Sequence, residues 1–326
     1  MVAVESNICN DTSARICIDI FLRIHLLNDD ERLDTVTALD APDPYYADPA
    51  LVSFEGRLYL YPTTDGIPNW GSTAFRVLVS DDGTTWHDGG EVLRLGRDVS
   101  WADRNAWAPA AAQGPDGRFY LYFSADDNIG VAVADTPTGP FVDSGRPIVA
   151  AGRYPGRAID PSVFTDTDGR SYLVWGNTVA NFALLTPSMT EIVADTHVTW
   201  RHDSFREAAH VHRRGDIYYL TWSENDTRDP EYRVRWAMGP SPFGPWDVRG
   251  VLIEQAPELG VAGTGHHSIL QMPGTDDWLI AYHRFAVPEG DGFHRELVVQ
   301  PLHHLPHGGL QQVSPDATPV LPRTTH

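Results

Sequence analysis

Three acids, Asp48, Asp160 and Glu207, each stand at the start of an apolar run, within the tripeptides ADP, IDP and REA. Carboxyls split bonds in pairs: one, ionised, takes a proton from water while another, kept protonated, gives its proton to the departing atom. A single Asp-Pro is common at turns and at the first residue of strands. The same dipeptide at two matching positions is harder to assign to turn chemistry alone.

Other residues suit a ligand. Residues 99–109, VSWADRNAWAP, place Trp101 and Trp107 six residues apart with two charges between them. Sugars present apolar C–H faces flanked by hydroxyls, and an aromatic plate beside charged hydrogen-bond formers is what such a face binds. Packing between structural units is the alternative for both tryptophans. The turn-rich residues 63–72, with Trp70, can wall a pocket. Arg295 can donate to ligand hydroxyls or pair with one of the acids. Asp166 and Asp168 read as solvated turn acids, and the RDP at 228–230 is expected in a loop away from the acids.

These residues are far apart in sequence, so the elements around them must gather them. GRLYLY at 56–61 recurs as GRFYLY at 117–122, GRSYLVW at 169–175 and GDIYYL at 215–220, with a weaker copy, DDWLIAY, at 276–282. Each reads as the turn and second strand of a hairpin. Counting back to the start of the preceding strand gives Asp48, Ala108, Asp160, Glu207 and His266, at intervals of roughly 60, 52, 47 and 59 residues. Further apolar runs and turns follow each hairpin. Four strands per unit, five times over, predict an all-β, five-bladed β-propeller whose innermost strands line a central channel. Equivalent strand starts then converge on one rim, and His266 joins the acids there.

Composition narrows the partners. The net charge of −20 argues against nucleic acid or an anionic membrane surface, and suits a neutral ligand. All 24 basic residues are arginine. The two cysteines, Cys9 and Cys17, exclude a disulfide framework and supply too few ligands for zinc. Residues 1–39 lie outside the repeat and are expected to form an irregular arm, with the propeller occupying 40–326. Their apolar piece is too short to span a bilayer, and they show no basic n-region or small-residue cleavage site. A cytoplasmic location is the expectation. The last turn-rich run, 301–315, is expected to close the ring.

Taken together, ADP at Asp48, WAP at Trp107, IDP at Asp160, REA at Glu207, GTGHHS at His266 and the arginine at Arg295 make the chain resemble glycoside hydrolase family 43. The likeness runs over about residues 43–315. It implies an inverting glycosidase acting on oligosaccharides or polysaccharides, with Asp48 as general base, Glu207 as general acid and Asp160 as the carboxylate that orients the acid and raises its pKa. It also implies that His266 helps to hold a hydrated calcium ion in the channel, while Trp107, Trp101 and Arg295 stay candidates for sugar contact from their own chemistry. Inverting hydrolysis needs its two carboxyls about 6.5–9.5 Å apart so that water fits between them, a gap that opposite sides of a channel supply. Where many members have Gly-Pro after the acid this chain has Ala208-Ala209, and Thr264 and His267 stand where Pro and Asn are common. Exo-acting release of terminal α-L-arabinofuranosyl groups is the leading expectation. The alternatives are a β-D-galactofuranosidase, a β-xylosidase or, in another class, a carbohydrate-binding propeller without catalysis.

Overall fold

Each hairpin folds locally. In the first, β1 (Tyr46–Phe54) meets β2 (Arg57–Thr64) through Glu55 and Gly56, both left-handed at φ 52° and 81°, the tight turn whose twist matches that of paired strands. The structure, a computed structural model, describes residues 45–315 and 318–321. The arm expected over 1–39 lies outside the described residues.

Five antiparallel sheets follow one another along the chain. Blade one adds β3 (Ala74–Ser80) and β4 (His87–Arg94) to the hairpin. Blade two is β5 (Trp107–Gln113), β6 (Phe119–Ala125), β7 (Asn128–Ala134) and β8 (Val142–Asp143). Blade three is β9 (Ser162–Thr165), β10 (Ser171–Trp175), β11 (Ala180–Leu184) and β12 (Val198–Trp200). Blade four is β13 (Glu207–Arg214), β14 (Ile217–Glu224), β15 (Arg233–Gly239) and β16 (Asp247–Ile253). Blade five departs from the expected four strands, having β17 (Gly265–Gln271), β18 (Trp278–Phe285) and β19 (Arg295–Leu302). On its outer edge Pro319 bridges Val298, and the Val320 N–H donates to Leu297 O at 2.8 Å.

The repeated Tyr-Leu-Tyr run is apolar on both faces because each blade is covered on both sides. Successive side chains of a strand point to opposite faces: Tyr59 and Tyr61 pack with Phe119 and Phe123 of blade two, and Leu58 and Leu60 with Leu279 and Leu297 of blade five. Tyr120 and Tyr122 reach blade three in the same way, and two further apolar clusters fill the remaining gaps, so one cluster lies between each pair of neighbouring blades.

Blades five and one close the ring through the apolar cluster they share and through the Leu51 N–H, which donates to Ser268 Oγ at 2.8 Å. The 301–315 run does different work: Leu310 and Val313 pack between blades four and five, and the Val313 N–H donates to Leu252 O. Asp166 is not a solvated turn acid. It is buried, accepting from Tyr218 Oη and Arg213 Nη1, both at 2.6 Å, and ties blade three to blade four.

Candidate active site

At the start of each inner strand the chain bends through one left-handed residue: Asp48 (φ 50°), Ala108 (42°), Asp160 (55°), Ala208 (58°) and His266 (31°). A bulge in the pairing register accompanies the bend in blades one, two, four and five, and bulges re-aim the side chains beside them. The counted position in blade four, Glu207, is therefore one residue early in the repeat's frame. Ala208 occupies the bend, and Glu207 stands one place earlier, where blades two and three carry Trp107 and Ile159. A count that allows the turn to vary by a residue cannot separate Glu207 from Ala208.

The bent residues are held by the blade before them. Ala108 donates its N–H to Thr63 Oγ1 (2.7 Å), Asp160 to Ser124 Oγ (2.9 Å) and His266 to Ser223 Oγ (3.0 Å). The matching place in blade three is Gly176, which has no side chain to offer, and the Ala208 N–H bonds instead to the Asp160 carboxyl. Asp160 thus fixes the backbone next to Glu207. Gly265 is required before His266, because a Cβ there would lie 2.0 Å from the Tyr232 ring.

Asp48, Asp160 and Glu207 line one open cavity of about 250 Å³, with Trp70, Trp107, Arg157, Arg206, Asp226, Thr227, Arg228, His266 and Arg295 around them. Beneath it the channel narrows to about 40 Å³ between Asp160, Ser162, His210, His266 and His267, so the cavity has a floor. Its wall is built from three blades. Trp70 packs on Phe293 (ring centroids 4.5 Å apart) and donates Nε1 to Gly292 O, while the Arg228 guanidinium sits 5.1 Å above the Trp70 ring. Trp107 donates Nε1 to Trp70 O at 2.6 Å.

Two expectations are corrected here. Trp101 does not reach the cavity: it stacks on Phe123, 5.9 Å between centroids, and donates Nε1 to Asp143. It precedes the bulge by six residues and falls against β7, where its bulk fills the space left by Gly130. The loop at 227–230, expected away from the acids, brings Thr227 and Arg228 to the cavity edge.

The carboxyls are in contrasting fields. Burial pushes Asp48 up, but Arg295, His266 and His283 outweigh it and hold the group well below the usual carboxylate range. Arg295 Nη1 lies 3.2 Å from Asp48 Oδ1 while its Nε donates to buried Asp65 at 2.7 Å, so it takes the pairing alternative among its two expected roles. His283 Nδ1 faces both the Asp48 N–H (3.2 Å) and Asp48 Oδ1 (3.1 Å), and one nitrogen serves only one of them. It accepts from the Asp48 N–H, which puts the proton of the neutral ring on Nε2. Burial lowers His266 and His283 to about 4, so both rings are neutral at neutral pH.

Glu207 is raised to about 7, first by burial, then by Asp48 and Asp226, against Arg206 and a hydrogen bond from Asn177 Nδ2 at 2.8 Å. Asp160 is also pushed well up, by burial, Glu207 and Asp48 in that order. The expected anion beside the acid is thus chiefly Asp48, while Asp160 tends to carry a proton itself. Asn177 and Asp226 were not legible as site residues, since neither lies at a repeat position.

For a metal ion the donors are few. Among the described residues no three His, Cys, Asp or Glu side chains are grouped to hold one. His266 offers a single imidazole whose Nδ1 is already 3.4 Å from Asp48 Oδ1, whereas calcium takes six to eight oxygens. The residues present do not form a coordination sphere, and water would have to complete one.

A propeller cavity lined by one carboxyl held low and another raised to about 7 carries the paired groups that glycoside hydrolysis needs. Residues 43–308 match Glycosyl hydrolases family 43, and the chain belongs to that family, whose members are inverting glycoside hydrolases. It is 29% identical to the Xylosidase/arabinosidase of Bacteroides ovatus (79% of this chain, 91% of that protein) and 30% identical to the Beta-D-galactofuranosidase xynD of Aspergillus niger (77% of each). Among solved structures it is similar to the GH43_1 enzyme from Xanthomonas citri complexed with xylose, with TM-score 0.72 and 31% identity over 84% of this chain and 92% of that one.

Proposed function

We propose that the protein is an exo-acting glycosidase that removes terminal pentosyl groups, α-L-arabinofuranosyl first, with Asp48 as general base and Glu207 as general acid. The observation that carries this is the contrast between the two groups on one cavity floor, Asp48 held ionised and Glu207 raised to about 7. Asp48 takes a proton from a water molecule as its oxygen attacks the anomeric carbon. The bond from that carbon to the leaving oxygen breaks, Glu207 gives its proton to that oxygen, and the configuration inverts. Asp160 holds the backbone at Ala208. Trp107 and Trp70 supply aromatic surface to the sugar.

Exo action is supported by the floor beneath the cavity and by the wall of Trp70, Phe293 and Arg228. A second reading, β-D-xylosyl release, is favoured by the double name of the Bacteroides relative and by the xylose held in the Xanthomonas enzyme. A hydrated calcium ion at His266 is carried as part of the same proposal, and no step uses it. Assays on nitrophenyl α-L-arabinofuranoside, β-D-xyloside and β-D-galactofuranoside beside linear arabinan, with NMR of the first anomer released, test sugar, mode and inversion together. Retention of configuration, or random shortening of arabinan, overturns the reading.

A further inference from the structure

The loop after β10 crosses from blade three to grip blade four at Glu207. Gly176, at φ 126°, begins it: a Cβ there would lie 2.1 Å from Val179 O, so the path is open only to glycine. Two residues on, Thr178, also left-handed at φ 67°, donates its N–H to Arg206 O at 2.7 Å. Between them Asn177, only 2% exposed, donates Nδ2 to Glu207 Oε2 at 2.8 Å. Backbone and side chain of consecutive residues therefore hold the peptide before Glu207 and the carboxyl itself.

A carboxylic acid has two oxygens and one proton, and the oxygen that faces an amide N–H is the poorer place for that proton. Arg206 Nε is also nearest to Oε2, at 3.9 Å. Among the described residues Oε1 accepts no hydrogen bond, while Glu207 lines the cavity. We propose that Asn177 is a positioning residue for proton donation: by occupying Oε2 it keeps the acidic proton of Glu207 on Oε1 and holds the carboxyl in one orientation. This rests on Glu207 as general acid. The same bond favours the carboxylate, so Asn177 opposes the rise in the pKa of Glu207 while it fixes where the proton sits. A residue that only filled space would do neither.

The test uses Asn177→Ala and the isosteric Asn177→Asp beside Glu207→Ala, each with its thermal unfolding measured. Two substrates carry the same sugar, one on a poor leaving group such as an alkyl alcohol or second sugar, the other on dinitrophenol, which departs with little help from an acid. Glu207→Ala should lose on the order of 10²–10⁴-fold in kcat/KM on the poor leaving group and far less on the activated one. Both Asn177 variants should lose about tenfold or more on the first and within about threefold on the second, with the alkaline limb of the pH profile moved upward. Equal losses on the two substrates, or an unmoved limb, overturn the proposal while leaving Glu207 as the acid. If Glu207→Ala itself loses equally on both, the assignment of the acid fails, and the role of Asn177 with it.

Discussion

Arg295 Nη1 lies 3.2 Å from Asp48 Oδ1 across 247 residues of sequence, a buried cation of blade five against a buried carboxylate of blade one. Without it burial would dominate and the pKa of Asp48 would rise. Arg295→Met should therefore move the acid limb of kcat/KM to higher pH and cost about 3–5 kcal/mol of stability, as broken buried pairs do. The folded pKa of Asp48 is depressed, so its contribution to stability is present above the unfolded value near 3.8 and lost as pH falls through the folded one. The variant should lack this contribution at neutral pH. An acid limb that stays in place shows that Arg295 is not what keeps the base ionised.

Glu207 gives the opposite sign. Its pKa rises from 4.5 to about 7 on folding, so its contribution is full below 4.5 and is lost as pH climbs through 7. That window carries about 3 kcal/mol. Glu207→Gln, uncharged throughout, should be inactive on poor leaving groups yet lose less stability than the wild type between pH 5 and 8.5, as read from urea melts. Parallel stability curves for the two proteins would show that the carboxyl titrates normally.

What the sequence makes legible is what repetition encodes. GRLYLY and its copies announce strands covered on both faces, hence the ring of blades, and the two Asp-Pro pairs mark their own bends. Glu207 was found through a count that was off by one, because Ala208 carries the bend and leaves no signal in its side chain. Trp101 and Trp107 share one motif, but only Trp107 stands beside a bulge. Asn177 acts across a blade boundary and Asp226 within blade four, both from loops with no repeat position, and the wall of Trp70, Phe293 and Arg228 joins three loops whose meeting depends on the closed ring.

Arg206 is shared between Asp226 Oδ2, at 3.3 Å, and Glu207 Oε2, at 3.9 Å. Asp226 raises the pKa of Glu207 directly and also draws Arg206 away from it. Asp226→Asn removes both effects, so the alkaline limb should fall by roughly half a unit to one unit. A pH profile that moves upward or not at all would show that Arg206 is not the cation that Glu207 feels.

Trp70 lines the cavity with Phe293 packed on its ring, so the pair bears on the shape of the pocket rather than on the acids. Trp70→Ala and Phe293→Ala should raise KM for a nitrophenyl pentoside about tenfold, in line with the value of an aromatic contact, and leave kcat within about threefold. The split matters, because a loss carried by kcat would place the wall in the chemistry rather than in binding.

Chelation tests whether any positive charge beside Asp48 comes from a bound ion as well as from Arg295. Arg295 is buried and covalently fixed to the fold, and His266 is neutral, so a hydrated ion at His266 would add to a field that the arginine already supplies. Exhaustive dialysis against EDTA, with metal content measured before and after, should therefore lower kcat less than Arg295→Met does, and added calcium should restore whatever was lost. A chelated enzyme with a larger loss than the variant, recovered by calcium alone, would make the ion the dominant charge at the base and reduce Arg295 to a structural clasp between blades five and one.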